Sequence, residues 1–486
     1  MRYYMLNENE TRELPFAKGI SYFSENEKVA VIEGNSVKAR AVGDCDLYFM
    51  QDDKKQLFAR ITVGWPVQNP ILPYSWKMYV PDTEAHNFGD KIYIYGSLDV
   101  EYNGRFCSPY YISLMTPDLK RWESHGYSYT AFDEGNPHPG KILWDSDGNF
   151  YNGKYLLYGF YEADYTIDNY MFVLESDNPM GKFRNFKWIV GDQSGKKIDG
   201  ISAQILVDDD GSRYIAYAPT RQPVAENYPV IAKLSDDNVI VESTIANMGR
   251  YVKDFYEAPS LRKRGDTYYL VYVENLGAIT DSNHTPLRLS YATSKSIFGE
   301  YTYQGTIISL ETLPGQSNIQ GSIECFNGEW YVFYHRCMNN IWNKRVICAE
   351  KIEFDKNGLI KPVMPSSSGI AKGLDTSKPI WFNSAVIQKN CRYTNDGQYG
   401  SAVVNGDAEI GFRYVSLTGK EKTISLQGEG LSNITHITVT ANGKMIGRGV
   451  GGKDIQLKNV KKGKTELVFN ITSKGEAKLE TLHFSK

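Results

Sequence analysis

The sequence predicts an all-β protein in which a five-bladed β-propeller is flanked by two small β-sandwich domains. Three observations support this fold class: an aromatic-rich composition, a hairpin motif that recurs five times, and strand patterns without that motif at both ends of the chain. The 486 residues include 35 Tyr, 21 Phe and 8 Trp beside 43 Gly. Aromatic residues favour strands, and Gly favours the tight turns that join them.

The recurring motif is a Gly-containing turn followed by a strand of alternating aromatic and aliphatic residues. Its five copies are GDKIYIYGS, NGKYLLYG, DGSRYIAYA, GDTYYLVYV and NGEWYVFYH, with turn glycines Gly89, Gly153, Gly211, Gly265 and Gly328. Successive glycines are 54 to 64 residues apart, which suits a blade of four short antiparallel strands. The Asn-Gly and Asp-Gly pairs supply the positive φ that tight hairpins need, so these acidic turns require no calcium ion to explain them.

The motif is absent from both ends of the chain, and this sets the predicted domain boundaries. Residues 1–66 alternate with period two between turn signals and predict a small β-sandwich. Residues 67–373 contain the five repeats. Residues 374–486 are again strand-rich without the motif and predict a second β-sandwich.

Charge, cysteine content and apolar runs exclude several classes of function. The net charge is −3, from 54 Lys and Arg against 57 Asp and Glu, so bulk electrostatics indicate neither nucleic acid nor a membrane surface as partner. The six Cys form no C-x-x-C pair, which argues against a zinc knuckle or a dense disulfide framework; Cys337 and Cys348 could face each other across a hairpin, but we expect free thiols. No membrane-spanning run is present, and the sequence leaves the oligomeric state open.

The N-terminal residues MRYYMLNENETRELP lack the apolar core of a secretory signal peptide. We therefore expect a periplasmic or secreted location if a signal has been removed from the chain, and a cytoplasmic location otherwise.

Unusual polar residues stand where the innermost strand of each predicted blade would begin. Counting back from the repeated turns gives Asp82, Asp147, Glu257 and Gln320, and in the third blade Ser202 with Asp199 just upstream. Buried carboxylates are costly without a partner or a task. Each alone could be a structural hydrogen-bond acceptor, but their convergence on one axis favours a functional site.

Hydrolysis of a glycosidic bond requires at least two carboxyl groups, on opposite sides of a shallow funnel. One protonates the departing glycosidic oxygen, and the other activates water or attacks directly. The acid must remain protonated near neutral pH, which an apolar wall or a nearby carboxylate can achieve. The pattern therefore predicts an oligosaccharide or polysaccharide as substrate.

The repeat region resembles glycoside hydrolase family 43. The resemblance rests on ordered matches at NPILP, VPDTEAHNFGDKIYIYGSLD, LWDSDGNFYNGKYLLYG, ILVDDDGSRYIAY, FYEAPSLRKRGDTYYLVY, LSYATSKSIFGEY and IQGSIECFNGEWYVFYHR. It implies a five-bladed catalytic domain that acts mainly on arabinose- and xylose-containing plant polysaccharides. It also implies that Asp82 is the general base and Glu257 the general acid of an inverting hydrolysis, with the carboxyl groups roughly 6.5–9.5 Å apart.

Two positions depart from the family pattern. Family members usually have Asp at the position where an ungapped match places Ser202. That family Asp orients the general acid and adjusts the pKa of the acid. Asp199 could take over this role if the IDGIS segment bulges. Many relatives carry His at the position of Gln320, and that His often contacts an axial calcium ion or its water shell. We therefore expect no required cofactor; a structural calcium is compatible with the resemblance but is supported by no specific motif.

Several further residues are candidates for substrate binding. Asp147 matches an acidic position of the second blade, which suggests a structural or substrate-binding role. Trp76 and Trp144 could stack on sugar faces, and Arg288 and His335 could hydrogen-bond sugar hydroxyls, although structural roles are at least as common for such residues.

The flanking domains carry weaker resemblances. The N-terminal ISYFSENEKVAVIEGNSVKARAVG and ARITV resemble a bacterial immunoglobulin-like domain, and the C-terminal YGSAVVNGDAEIGFRY, NGKMIG and LVFNIT resemble carbohydrate-binding module family 6. A purely structural C-terminal sandwich remains an alternative.

The leading hypothesis is an inverting, exo-acting α-L-arabinofuranosidase or β-xylosidase. A non-hydrolytic carbohydrate-binding protein on a degenerate propeller is the alternative, motivated by Ser202 and Gln320. A protein-interaction propeller is a third hypothesis, which predicts neither sugar binding nor an acidic funnel.

Overall fold

Strands, most of them paired antiparallel, make up nearly all the regular structure of this computed structural model, and no α-helix occurs in the part of the chain that it describes. The described residues are 1–15, 19–51, 53–100, 106–162, 169–191, 194–219, 228–243, 252–274, 288–314, 316, 318–338, 341–394 and 400–486. The all-β prediction is confirmed. Within the described ranges, no helix is long and apolar enough to cross a membrane.

The N-terminal segment forms two small sheets around one apolar core, to which Leu47, Ile61 and Val37 contribute. Its strands are β1 (Arg2–Leu6), β2 (Thr11–Glu13), β3 (Ser21–Ser24), β4 (Ala30–Glu33), β5 (Ser36–Ala39), β6 (Gly43–Gln51) and β7 (Lys54–Val63). The larger sheet has the order β3-β6-β7-β1, and the smaller has the order β2-β5-β4.

Five antiparallel sheets follow in chain order. Their strands are β8 (Glu84–Asn87), β9 (Ile92–Ser97), β10 (Tyr110–Thr116) and β11 (Glu123–Thr130) in the first; β12 (Leu143–Tyr151), β13 (Lys154–Tyr161), β14 (Met171–Ser176) and β15 (Arg184–Trp188) in the second; β16 (Gly200–Val207), β17 (Arg213–Pro219), β18 (Val230–Leu234) and β19 (Ile240–Ser243) in the third; β20 (Phe255–Arg264), β21 (Thr267–Glu274), β22 (Arg288–Ser294) and β23 (Thr302–Ser309) in the fourth; and β24 (Gly321–Phe326), β25 (Glu329–Met338) and β26 (Ile341–Ile352) in the fifth. In each sheet, consecutive strands pair in chain order.

The five repeated motifs are the hairpins that join the first and second strands of these sheets, as predicted. Asn152 and Gly153 (φ 48° and 74°) separate paired residues Tyr151 and Lys154, and Asn327-Gly328 forms the same turn in the fifth sheet. Positive φ at both turn residues matches the twist of the flanking strands. The prediction that Cys337 and Cys348 are free thiols is confirmed, because Cys337 pairs with Arg345 across its hairpin rather than with Cys348.

The first strands of the five sheets contact one another in the cyclic order β8, β12, β16, β20, β24 and back to β8. Residues just before β8 complete the closure along β26. The Ile71 N–H donates to the Ile347 carbonyl (3.1 Å), and the Asn69 side chain hydrogen-bonds the Ala349 N–H (2.9 Å) and carbonyl (3.2 Å). The ring is therefore held between a segment near its start and a strand near its end.

The first sheet is continuous with the N-terminal sheet, because β1 pairs in parallel with β7 and antiparallel with β11. The N-terminal segment is thus hydrogen-bonded to the outer edge of the ring.

The C-terminal segment forms one nine-stranded network. Its strands are β27 (Leu374–Asp375), β28 (Ile380–Trp381), β29 (Ile387–Thr394), β30 (Ser401–Leu417), β31 (Thr423–Glu429), β32 (Ile434–Ala441), β33 (Lys444–Gly449), β34 (Ile455–Leu457) and β35 (Gly463–Ser485). The long β35 pairs with β28, β30, β31 and β32. Its core also includes Tyr79, Met338 and Val346 of the preceding region, so this segment packs directly on the ring.

Arg262 ties three first strands together near the centre of the ring. Its buried guanidinium, on β20, contacts Glu84 of β8 (3.1 Å) and Glu324 of β24 (3.2 Å). It also donates to the Ala85 and Leu261 carbonyls, each at 2.7 Å. A buried charge of this kind is tolerable because every neighbour accepts from it.

We predict that Arg262→Met lowers the free energy of unfolding by about 3 to 5 kcal/mol, because it leaves buried carboxylates without their cation. Urea denaturation measures this change. Lys351→Met, which removes an exposed ion pair to Glu329 (2.8 Å), serves as the control and should change stability little. Equal effects in the two variants would contradict the role assigned to Arg262.

Candidate active site

Polar side chains meet where the first strands of the five sheets begin. Asp82 lies just before β8, Asp145 near the start of β12, Ser202 near the start of β16, Glu257 near the start of β20, and Gln320 just before β24. Equivalent ends of strands in a closed ring converge, so the sequence-predicted positions Asp82, Ser202, Glu257 and Gln320 are brought to one place. Asp145 joins them without having been predicted.

Asp82 is almost fully buried and is held on every side. Arg345 Nη1 donates to Asp82 Oδ1 (2.9 Å), and the Ser97 hydroxyl donates to Oδ2 (3.1 Å). Burial raises the pKa of Asp82, and the Arg345 charge opposes this by stabilising the carboxylate. The guanidinium also pairs with Asp99, through Nε (3.0 Å) and Nη2 (2.9 Å). The geometry thus holds Asp82 next to a permanent positive charge.

His335 supports Asp82 from behind and is completely buried. Its Nδ1 accepts the Asp82 backbone N–H (3.0 Å), and its Nε2 lies 3.0 Å from the Asn318 side-chain oxygen. An accepting Nδ1 requires a neutral ring with the proton on Nε2, which then donates to Asn318. Burial and the Arg345 charge lower the pKa of His335 well below 6.5, in agreement with that state. Both ring nitrogens are therefore engaged within the protein.

Glu257 is in a different electrostatic environment from Asp82. The residue is half-buried, and desolvation by the surrounding protein raises the pKa of its carboxyl to about 7, with the Asp82 charge adding to the effect. The Gln320 amide donates to Oε1 (3.0 Å) and acts in the opposite sense, because it stabilises the charged form. Glu257 can therefore carry a proton near neutral pH, as a general acid must.

Asp145 and Ser202 form the third element of the site. The buried Ser202 hydroxyl donates to Asp145 Oδ2. Burial raises the pKa of Asp145 well above its usual range, and the Asp82 and Glu257 charges raise it further. Asp145 is therefore close enough to both carboxyl groups to respond to their charges.

The expected role of Asp199 depends on a bulge in the IDGIS segment. The expected bulge exists, because the β16–β17 register shifts between Ile201 and Gln204. The residue within this bulge is Ser202, however, and Asp199 forms an isolated backbone β-bridge with Tyr170 just before β16. The side chain that this bulge brings to Asp145 is therefore that of Ser202, and the replacement of Ser202 by Asp199 stays a prediction.

Three other predicted binding residues also lie in structural positions. Trp76 is buried, and its Nε1 donates to Thr62 (2.9 Å) in the N-terminal segment. Arg288 begins β22, the third strand of its sheet, where it pairs with Glu311 (2.6 Å). Asp147 is buried, with Oδ1 bonded to His86 and Oδ2 accepting the Ile205 N–H (2.6 Å), so it joins the first three sheets.

Trp144 is next to Asp145 in sequence, and its partly buried side chain packs against the core shared by the second and third sheets. It lies on β12 and meets the Phe106 ring edge to face at 6.0 Å. The Phe106 ring centroid in turn lies 4.4 Å from the Arg345 guanidinium carbon. Aromatic groups of this kind are suited to contact sugar faces.

Sequence patterns missed Arg345, Asp99 and Asp145. Arg345 and Asp99 lie outside the repeated motif, and no sequence signal marks them. Asp145 did have a signal, because it stands eight residues before Gly153, the same offset that separates Glu257 from Gly265 and Gln320 from Gly328.

A family comparison agrees with this geometry. The model of "Glycosyl hydrolases family 43" matches residues 67–360, more than half of the chain. The chain belongs to glycosyl hydrolase family 43. It is therefore a glycosidase.

Related proteins extend over the same region. The chain is 31% identical to a xylosidase/arabinosidase of Thermoclostridium stercorarium, over 62% of this chain and 68% of that protein. It is 28% identical to a β-xylosidase of Xylanibacter ruminicola, over 59% of this chain and 97% of that protein. A crystal structure of a family 43 β-xylosidase/α-arabinofuranosidase from a compost microbial metagenome, in complex with xylotriose and calcium-free, aligns with TM-score 0.51 and 24% identity over 62% of this chain and 99% of that chain. This last likeness supports the fold.

The family resemblance is compatible with a structural calcium ion, but the buried residues that could hold a metal ion do not suit calcium. Glu84, His86 and Asp147 offer ligand atoms within 4.8 Å of one another. The Arg262 guanidinium already contacts Glu84, and His86 and Asp147 are bonded to each other. A divalent cation here would meet the positive charge of Arg262, so no step of the reaction is assigned to a metal.

We predict that Gln320→Met moves the pKa of Glu257 upward from about 7, because it removes a donor that stabilises the carboxylate. Infrared difference spectroscopy of the carboxyl stretch during a pH titration measures the change, with Glu257→Gln as the blank. Gln304→Met, which loses a hydrogen bond to Thr293 far from the site, is the matched control. An unchanged or lower pKa in Gln320→Met would contradict the assignment.

Proposed function

We propose that this family 43 glycosidase is an inverting, exo-acting enzyme of the α-L-arabinofuranosidase or β-xylosidase type. Asp82 acts as general base and Glu257 as general acid. The observation that carries the proposal is the different partner of each carboxyl: Asp82 accepts directly from the Arg345 cation (2.9 Å), whereas Glu257 accepts from the neutral Gln320 amide (3.0 Å) and its pKa is raised to about 7. Hydrolysis of a glycosidic bond needs this pair of protonation states.

In the proposed reaction, Glu257 gives its proton to the glycosidic oxygen as the bond to the sugar breaks. Asp82 takes a proton from a water molecule that attacks the opposite face of the sugar ring. The buried carboxylates around Arg345 place negative charge near the sugar, which stabilises an oxocarbenium-like transition state. Trp144 and Phe106 contribute aromatic surface for the sugar.

The names of the relatives support the choice of sugar. Both curated relatives described above are named as xylosidases, and one also as an arabinosidase. Whether this chain prefers xylose or arabinose depends on loop positions rather than on the two carboxyls.

The same proposal includes the architecture. We propose that the ring of five sheets is a five-bladed β-propeller spanning residues 67–373, with an immunoglobulin-like sandwich at 1–66 and a carbohydrate-binding-module-like sandwich at 374–486. The cyclic contacts of the first strands support the propeller, and the shared N-terminal core supports the first sandwich.

The non-hydrolytic alternative rested on Ser202 and Gln320. In the structure each of them donates a hydrogen bond to a carboxyl group of the site. These two residues therefore serve the carboxyls rather than replace them, and hydrolysis is the proposal that the site favours.

We predict that Asp82→Asn and Glu257→Gln each lower kcat/KM on para-nitrophenyl β-D-xylopyranoside or α-L-arabinofuranoside by about 10²- to 10⁴-fold, because each removes a proton-transfer group. Steady-state assays on this panel, with Asp177→Asn as an exposed control, measure the effect. Full activity in both variants would refute the proposed pair.

We further predict that the first sugar product released by the wild-type enzyme has the anomeric configuration opposite to that of the substrate. Proton NMR of the anomeric signal in the first minutes of hydrolysis, before mutarotation, checks this. Retention of configuration would rule out direct attack by water.

A further inference from the structure

Asp145 is a buried carboxyl group for which the two-carboxylate reaction has no assigned task. It lies on β12, between the site's first and third sheets, and is almost completely buried. Its Oδ2 accepts from the Ser202 hydroxyl, and its side chain also interacts with the Asp82 carboxyl. Two carboxyl groups buried side by side are costly because like charges disfavour ionisation, so this arrangement calls for a functional reason.

The backbone is shaped to direct Asp145 inward. The β12–β13 register shifts between Trp144 and Ser146, which leaves Asp145 as the bulged residue with φ 23°. The Tyr111 hydroxyl lies 2.6 Å from the Trp144 carbonyl oxygen and 3.2 Å from that of Asp145, so it supports the bulge from behind. Gly159 leaves the space that Tyr111 occupies, since a Cβ there would lie 2.2 Å from the tyrosine oxygen.

Ser202 is presented to Asp145 by a second bulge. Its φ is 56°, and it lies in the register shift of β16. Left-handed backbone at a residue other than Gly costs of order 1–3 kcal/mol and concentrates at functional sites. Two facing bulges therefore maintain one hydrogen bond between neighbouring sheets.

Asp147, on the same strand, shows what a structural carboxyl looks like in this protein. Both of its oxygens have protein partners, His86 and the Ile205 N–H. A simple clasp between sheets would be built in that way. Asp145 instead is bonded to Ser202 and interacts with Asp82, one of the two proposed catalytic carboxyls.

The groups around Asp145 belong to the catalytic pair. Asp82 acts on it most strongly among the charged groups, and Glu257 follows. Cys107 and Tyr111 also respond to the Asp145 charge, and Arg345 reaches this cluster through Asp82. Interactions between charges are reciprocal, so the protonation of Asp145, Asp82 and Glu257 is shared among the three groups.

We propose that Asp145, fixed by Ser202, is a positioning residue of the hydrolytic reaction, and that this chain supplies its third active-site carboxyl from the second sheet instead of from position 202 in the third. The inference rests on the proposed roles of Asp82 and Glu257. Exchange of Ser and Asp between two hydrogen-bonded positions keeps both groups while reversing which strand carries the carboxyl.

The experiment compares Asp145→Ser with the exchange variant Asp145→Ser/Ser202→Asp, in the full-length chain. Each is assayed on a xyloside or arabinofuranoside with a poor leaving group, such as methoxyphenyl, and on the dinitrophenyl glycoside, whose departure needs little help from an acid. Asp147→Ser is the control for damage to the sheet, and Asp177→Ser is the exposed control. Thermal unfolding establishes that each variant is folded.

If Asp145 acts through Glu257, Asp145→Ser should lower kcat/KM by roughly 10- to 100-fold on the substrate with the poor leaving group and by much less on the dinitrophenyl substrate. The exchange variant should regain at least about tenfold of the lost activity, because a carboxyl is again present between the two groups. Equal losses on both substrates, or an exchange variant no better than Asp145→Ser, would overturn the proposal.

A second variant covers the case in which Asp145→Ser does not fold. Ser202→Ala keeps the carboxyl but releases it, and it should show a milder loss with the same dependence on leaving group; wild-type behaviour would overturn the proposal. Glu257→Gln separates this test from the proposed function. If Glu257→Gln remains fully active, the proposed function fails; if it is impaired while Asp145 variants are unaffected, only the present inference fails.

Discussion

The buried guanidinium of Arg345 is the constraint on which the site depends. It pairs with Asp82 and Asp99, both fully buried. Two buried carboxylates with no cation would be expelled or protonated, because desolvation strongly disfavours their charges. Arg345 contacts Asp82 directly and opposes the burial that raises the pKa of this carboxyl, whereas Glu257 accepts from a neutral amide and its pKa is raised to about 7. The position of the Arg345 cation, in direct contact with Asp82, is therefore what distinguishes the proposed base from the proposed acid.

Backbone geometry delivers these groups to one place. Asp82, Asp145, Ser202 and Ala258, which follows Glu257, all have positive φ, and three of the four lie in register shifts of a first strand. Such conformations persist only where the surrounding structure over-determines them. Here that structure is the closed ring, braced by Arg262 across three first strands and by the Asn69 side chain along β26. The contacts of Arg262 and Asn69 therefore help to hold the residues with positive φ in place.

Much of the fold could be predicted from the sequence because turn chemistry is local. A turn pair such as Asn152-Gly153 or Asn327-Gly328 between alternating residues specifies its hairpin without reference to the rest of the chain, and all five Gly-containing hairpins lie where they were expected. Asp82 and Glu257 could be found because they stand at fixed offsets from those turns. Arg345 could not, since its meeting with Asp82 joins positions far apart in sequence through ring closure. Asp145 shares its eight-residue offset from the turn with Glu257 and Gln320, but period-two alternation does not distinguish it from Asp147, because a one-residue bulge decides which of the two acids faces the site.

The central claim is that Glu257 is protonated while Asp82 is ionised near neutral pH. Neutron diffraction from a deuterated crystal slightly below pH 7 would locate these protons directly. The account predicts a deuteron on a Glu257 carboxyl oxygen, none on Asp82, and a fully deuterated Arg345 directed at Asp82 Oδ1. A deuteron on Asp82 together with a bare Glu257 carboxylate would contradict it.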